Sequence, residues 1–296
     1  MGLETVFATK DDFPKTWVVI QTALDEQVTP GLVAGIWSRH HKNQMVVFSA
    51  GLRQKKPQTH PTTPETIYDL ASVSKVFATA TLASVLFEKG WLHWNQPVRL
   101  FFPKYHFPDV QIKHLLSHTA GYAAWGDFYR QIEEYFAPKP LYLVNISDRQ
   151  NKMRELVLNA PREHGAGQKA VYSDLSFLLL GFILEELTSL PLDQAVQKYV
   201  FKPLGLKNSK YIRTTFPPEQ KTLENVAATS ECAWRKALLQ GQVEDENCWA
   251  MGGYGGHAGV FSTIHDLMVY SQSLFSGFLS PHTLNQIWSR IDPPPH

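Results

Sequence analysis

Apolar and polar positions along this chain recur with two different periods. Over residues 13–28, Trp17, Ile20, Leu24 and Val28 return at helical spacing before Pro30-Gly31 breaks the pattern, which predicts an amphipathic helix. Residues 32–37 and 44–49 are β-rich runs flanking His40-His41-Lys42-Asn43, the signature of a hairpin. A polar, proline-rich loop over 54–64 then leads to Thr66-Ile67-Tyr68-Asp69. From Ser72 to Gly90 nearly every position is small or apolar, so this stretch predicts a helix buried all round, opened by Ser72 and stopped by Gly90.

Beyond Gly90 the chain turns predominantly helical, after a turn at Asn95-Gln96-Pro97-Val98. Residues 112–121 predict a helix end closed by Gly121. Residues 122–143 are aromatic-rich and irregular, either the roof of a pocket or, more in keeping with aromatics under a long loop, a satellite core. A short helix is expected over 152–158, a glycine-bearing loop over 161–169, and a strong helix over 175–190, stopped by Pro191. Residues 262–275 predict a capped helix after a glycine-rich turn.

Bulk properties narrow the function classes. A length of 296 residues allows a large core and about two domains. A net charge of +1 gives no basic field for nucleic acid or anionic lipid. The longest apolar run, 177–184, is too short to span a bilayer. Met1-Gly2-Leu3-Glu4-Thr5-Val6-Phe7 lacks the basic start and apolar stretch of a secretion signal, so a cytoplasmic location is expected for the chain as written, and a periplasmic or extracellular one if its N-terminus is processed. Cys232 and Cys248 form no Cys-x-x-Cys pair and are expected as buried reduced thiols.

A lysine inside a buried helix needs a reason. Ser72 and Lys75 are three residues apart, one turn of helix, so their side chains share a face. A lysine amine desolvated in an apolar setting takes a proton readily enough to activate a serine hydroxyl, and a helix N-terminus favours the developing negative charge. About one Ser-x-x-Lys arises by chance in ~300 residues, so the surroundings must decide. Tyr172-Ser173-Asp174 reads as helix punctuation by itself, or as a phenol facing Lys75 in a general-base role. His114 and His118, one helical turn apart, have the spacing of a metal pair but no following glutamate and no third ligand nearby, so no metal is expected there, and no motif calls for a cofactor. No Gly-x-Ser-x-Gly elbow occurs for a Ser-His-Asp hydrolase.

Four motifs fall in an ordered series: Leu70-Ala71-Ser72-Val73-Ser74-Lys75, Leu115-Leu116-Ser117-His118-Thr119-Ala120-Gly121, Tyr172-Ser173-Asp174-Leu175 with Leu180-Gly181 and Glu185, and Pro203-Leu204-Gly205-Leu206. The series resembles the class C β-lactamase-like serine hydrolases, which include penicillin-binding carboxypeptidases and esterases. A later stretch, Gly241 to Asn247 and Met251-Gly252-Gly253-Tyr254-Gly255-Gly256-His257-Ala258-Gly259-Val260, is similar to the penicillin-binding protein 4B-like branch, with Glu244 where that branch carries histidine. The resemblance implies an α/β (α+β) fold in which a helical domain is inserted into a domain built on one antiparallel sheet. Here that corresponds to residues 1–70, a mainly helical 71–250 and a return segment 251–296. It implies Ser72 as nucleophile, Lys75 as its activating partner, Tyr172 as general base and later acid, and Asp174 as a partner of Lys75 or of the substrate amide. The implied substrate is a small-molecule or peptidoglycan-peptide acyl compound.

Such enzymes carry a third element, Lys-Thr-Gly or His-x-Gly, on a strand facing the serine. His257-Ala258-Gly259 is expected instead in the glycine-rich turn, because a helix follows it. The chain reaches Pro293-Pro294-Pro295-His296 without another candidate, so the last sheet strands, and one oxyanion N–H with them, are expected from a further segment or a partner. The rival readings are an esterase on the same residues and a catalytically weak or silent binding module.

Overall fold

The structure is a computed structural model that describes residues 4–38, 44–214 and 224–289. Its larger sheet begins with β1 (Glu4–Phe7), then α1 (Pro14–Asp25), β2 (Gly31–Trp37), β3 (Gln44–Gln54) and β4 (His60–Pro61). β2 and β3 pair antiparallel from Gly31 with Gly51 to Trp37 with Met45, the expected hairpin, whose tip at 40–43 lies outside the described residues. Two features depart from expectation. β1 pairs with the other side of β3 in parallel, so the sheet is mixed, and β4 turns part of the proline-rich loop into a strand against the end of β3. α1 covers this sheet through Phe13 and Trp17, which pack on Phe48. It ends at Asp25, short of Val28, because Gln27 takes a left-handed φ of 57° and Val28 N–H returns to the Ala23 carbonyl.

β5 (Tyr68–Asp69) leads into the Ser72 segment, where a π-helical stretch Lys75–Ala80 continues as α2 (Thr81–Glu88). The expectation of burial all round fails: Val73 and Val76 are 53% and 59% exposed, and Val76 borders the cleft described below. Most other positions from Ser74 to Leu86 are core, with Phe77 between Phe201 and Tyr270.

Next come α3 (Ile112–Leu116), α4 (Phe128–Phe136), α5 (Ile146–Leu158), α6 (Asp174–Thr188), α7 (Leu192–Val196) and α8 (Lys202–Leu204). The stretch 122–143 therefore holds a helix rather than being irregular throughout. Tyr122, Phe128 and Tyr129 are buried in the main core. α5 starts six residues before the predicted 152, since its first turns are polar and carry no apolar period. α6 is buried from Leu175 to Leu184. No single helix among the described residues is long and apolar enough to cross a membrane.

The chain closes with β6 (Lys210–Tyr211), the hairpin β7 (Ala228–Cys232) and β8 (Ala237–Gln240), α9 (Glu246–Ala250), β9 (Val260–Ser262), α10 (Ile264–Ser273) and α11 (Pro281–Trp288). A strand thus precedes the helix predicted from 262, and Thr263 caps that helix by accepting Asp266 N–H. β9 lies between β5 and β6, so this small sheet takes one strand from each of the segments 1–70, 71–250 and 251–296. Through it the Ser72 turn and the glycine-rich turn become neighbours.

Candidate active site

The Ser72 turn is anchored from behind. Asp69 accepts the backbone N–H groups of Ala71 at 2.9 Å and Glu244 at 2.7 Å, one on each carboxylate oxygen. Ala71 sits at a φ of 44°, in the left-handed region that L-residues avoid. Ser72 follows it, just ahead of the helix. Burial pushes the Asp69 carboxyl up from the usual aspartate value, and the two N–H bonds offset this only in part. Ser74 serves packing: its hydroxyl is buried and accepts Val260 N–H at 3.1 Å.

Lys75 is buried, but its surroundings are not the apolar ones that the sequence suggests. Nζ lies 2.8 Å from Ser72 Oγ, 2.7 Å from Asp174 Oδ1 and 3.1 Å from the His257 carbonyl. The ammonium donates to Ser72 and to the His257 carbonyl and pairs by charge with Asp174. The group is thus built to donate to Ser72 rather than to wait as a desolvated amine. Asp174 does pair with Lys75, as the resemblance implies.

Tyr172 comes to the same place across a hundred residues of chain. Its ring centroid is 4.8 Å from Lys75 Nζ, and the residue is 55% exposed. The punctuation reading holds for its neighbour, since Ser173 caps α6 through Ser176 N–H. His118, considered above only as a metal candidate, supports both. It lies 4.5 Å from the Tyr172 ring, and its Nδ1 accepts Ser173 N–H at 3.0 Å. Burial, with the Lys75 charge beside it, holds the His118 imidazole below its usual pKa. His114 Nδ1 accepts Gln111 N–H and closes the capping box of α3. Among the described residues no group of three or more His, Cys, Asp or Glu side chains is arranged to hold a metal ion. Both thiols are free, Cys248 buried and Cys232 half-buried.

His257 occupies the glycine-rich turn before β9, as predicted, and is 1% exposed. Its imidazole Nε2 lies 2.9 Å from Asp245 Oδ1. Glu244 points its carboxylate elsewhere, 3.5 Å from the Ser230 hydroxyl, and reaches the site only through its N–H. Sequence reasoning missed Asp69, His118 and the His257 carbonyl as members of the site. Asp69 sits three residues before Ser72, and a short acidic residue there was the available signal; a backbone carbonyl leaves none.

Ser72, Lys75, His118 and Tyr172 border a cleft of about 710 Å³, whose walls continue along Val76, Leu116, Phe177, Leu274, Leu279 and Trp288. The arrangement offers a hydroxyl held by an ammonium, a phenol beside it, and a largely apolar channel leading away.

Residues 19–295 match a family model described as Beta-lactamase. A protein of Salmonella agona (strain SL483) called "Putative D-alanyl-D-alanine carboxypeptidase" is 32% identical over 238 residues, covering 74% of this chain and 53% of that relative. The chain thus spans about half the length of the curated relatives that it matches. Among solved structures, the octameric penicillin-binding protein homologue from Pyrococcus abyssi aligns with a TM-score of 0.72 at 21% identity, over 95% of this chain and 60% of its own. The Beta-Lactamase/D-Alanine Carboxypeptidase from Pseudomonas syringae aligns with a TM-score of 0.68 at 19% identity, over 95% and 69%. At these identities the structural likeness speaks for the fold.

Proposed function

The chain belongs to the Beta-lactamase family, and on that premise we propose that it is a serine hydrolase acting through an acyl-enzyme on Ser72, of the D-Ala-D-Ala carboxypeptidase and β-lactamase type. One observation carries the reading: Lys75 Nζ sits 2.8 Å from Ser72 Oγ and is held there by a carboxylate and a carbonyl. Ser72 Oγ attacks the acyl carbon. Tyr172 takes the hydroxyl proton and passes it to the leaving group as the C–N or C–O bond breaks. Water then attacks the ester on Ser72 by the same route in reverse, releasing the acid. Lys75 stays charged throughout, orienting Oγ and stabilising negative charge on it.

The substrate class follows from the relatives' names and stays a proposal: a peptide ending in D-amino acids, or a β-lactam that mimics one. Residues 257–259 lie in a turn rather than on a strand, so on this reading that segment does not supply a substrate-aligning strand with its oxyanion N–H. Loss of one such donor costs about 10²–10³ in rate. The apolar walls of the cleft favour a second reading, an esterase on the same residues that takes an apolar acyl group.

Intact-mass measurement after incubation with a fluorescent penicillin and, separately, an activated short-chain ester tests both. A covalent gain that disappears in Ser72→Ala supports the acyl-enzyme, and the preferred reagent separates peptidase from esterase. Absence of any adduct with either reagent would leave the binding-module reading standing.

A further inference from the structure

The carbonyl that His257 presents to Lys75 belongs to a buried, glycine-rich turn. Gly252, Gly253 and Gly259 take φ values of 118°, 91° and 111°, and Gly255 and Gly256 lie between them. Glycine backbone has little conformational preference of its own, so the contacts around the turn must fix where each carbonyl points. Two neighbouring carbonyls have one: Thr79 Oγ1 donates to Gly256 at 2.7 Å, and Cys248 Sγ to Ala258 at 3.3 Å. At His257 the imidazole supplies it.

Asp245 Oδ1 accepts both His257 Nε2–H at 2.9 Å and Cys248 N–H at 2.7 Å, so Asp245 caps α9 and pins the histidine with the same oxygen. A carboxylate only accepts, which puts the imidazole proton on Nε2. Among the described residues Nδ1 has no hydrogen-bond partner, which leaves Asp245 as the polar contact that fixes the ring. Asp245 is itself held in a stiff frame, since Asn247 on α9 donates to the Gly126 carbonyl and accepts Tyr129 N–H, both at 2.8 Å. Burial pushes the Asp245 carboxyl up, but His257, the Cys248 N–H and Lys75 together bring it below the usual aspartate value, so it is ionised at neutral pH.

We propose that Asp245 and His257 form a positioning pair for Lys75: the carboxylate fixes the imidazole, and the fixed imidazole sets the His257 carbonyl against Nζ, keeping the ammonium between Ser72 and Asp174. Neither side chain touches substrate. The inference rests on the reading of Lys75 as the group that orients Ser72. Because the carbonyl itself survives any side-chain substitution, the effect is graded, a loss of aim rather than of the group.

The test compares the rate of covalent labelling of Ser72 by the fluorescent penicillin in the full chain with that in Asp245→Ala, His257→Ala and His257→Gln. Loosening of about 1 Å at a reacting group costs on the order of 10²-fold, so the two alanine variants are expected to slow labelling by about that factor. His257→Gln, whose side-chain amide can still donate to Asp245, is expected to recover most of the rate, which a purely volumetric role would not allow. In a Lys75→Ala background, Asp245→Ala is expected to change residual labelling no further; additive losses would overturn the proposal. Labelling that persists in Ser72→Ala sinks the underlying reading instead, whereas a silent Ser72→Ala beside a wild-type rate in Asp245→Ala sinks only the pair. An arm independent of activity uses crystal structures of Asp245→Ala and, if that variant does not fold, of the nearly isosteric Asp245→Leu. A carbonyl at 257 turned out of reach of Lys75 Nζ supports the proposal, and one still about 3 Å away overturns it.

Discussion

Asp174 and Lys75 show how charge and geometry share the work at a single atom. Lys75 is buried and Asp174 half-buried, so replacing Asp174 by leucine strands a buried ammonium, a change that costs about 3–5 kcal/mol when a buried pair is broken. Asparagine keeps an oxygen for Nζ and loses only the charge. Asp174→Asn is therefore expected to label within about tenfold of the parent, and Asp174→Leu to lose both labelling and about 3 kcal/mol in urea unfolding. Ala71 gives a second residue-scale outcome. Its left-handed φ costs about 1–2 kcal/mol, and glycine costs about 0.5–1 kcal/mol more in unfolded-chain entropy. Ala71→Gly is thus expected to be neutral or slightly stabilising by thermal melting, and a clear loss would refute the strain. The two half-buried aspartates Asp69 and Asp245 oppose each other in acid. Asp245 is depressed below 3.8, so its contribution is present above that pH and fades as pH falls through its folded value. Asp69 is raised above 3.8, so its contribution is full below that pH and is lost as pH rises through its folded value. Stability curves of Asp245→Asn and the parent should therefore converge as pH drops below about 4. Ser72 and Lys75 were legible as a candidate pair from their spacing, and Tyr172 and Asp174 joined them through the ordered motifs of the resemblance. The third acceptor around Nζ, the His257 carbonyl, was not legible, and the apolar helix misled: Lys75 is buried against polar groups of two other segments.

At the scale of elements, periodicity located the helices and mislaid their ends. α1 stops at a left-handed Gln27, a conformation with no strong sequence signal, and the polar first turns of α5 hide it. β1, β4 and β9 were missed because strands of two to four residues are too short for a period to declare itself. The Ser72 helix and the glycine-rich turn are where packing is least forgiving. Phe77, 1% exposed between Phe201 and Tyr270, is expected to cost about 3–5 kcal/mol as Phe77→Ala, read by chemical denaturation. A Cβ on Gly256 would overlap the Phe177 carbonyl of α6, so Gly256→Ala must push the turn off that helix. Lower stability with slower labelling is the expected result, and an unchanged labelling rate would separate the turn from the site.

For the whole molecule, the small sheet matters more than its size suggests. By threading β9 between β5 and β6 it carries the Asp69–Ser72 turn and the His257 turn to one place, and α6 brings Tyr172 and Asp174 from another direction. The α/β fold with a helical insertion was legible from motif order, whereas the parallel pairing of β1 depended on long-range contacts that no local pattern encodes. Adding a strand that donates an oxyanion N–H, as a separate piece, is expected to raise turnover about 10²-fold or more without changing which residue is acylated. That identity is the centre of the account. Proteolysis and tandem mass spectrometry of the chain after reaction with fluorescent penicillin or the activated ester read it directly. The account predicts the adduct on Ser72, none on Ser74, and none anywhere in Ser72→Ala; an adduct on any other residue, or one that survives that substitution, would contradict it.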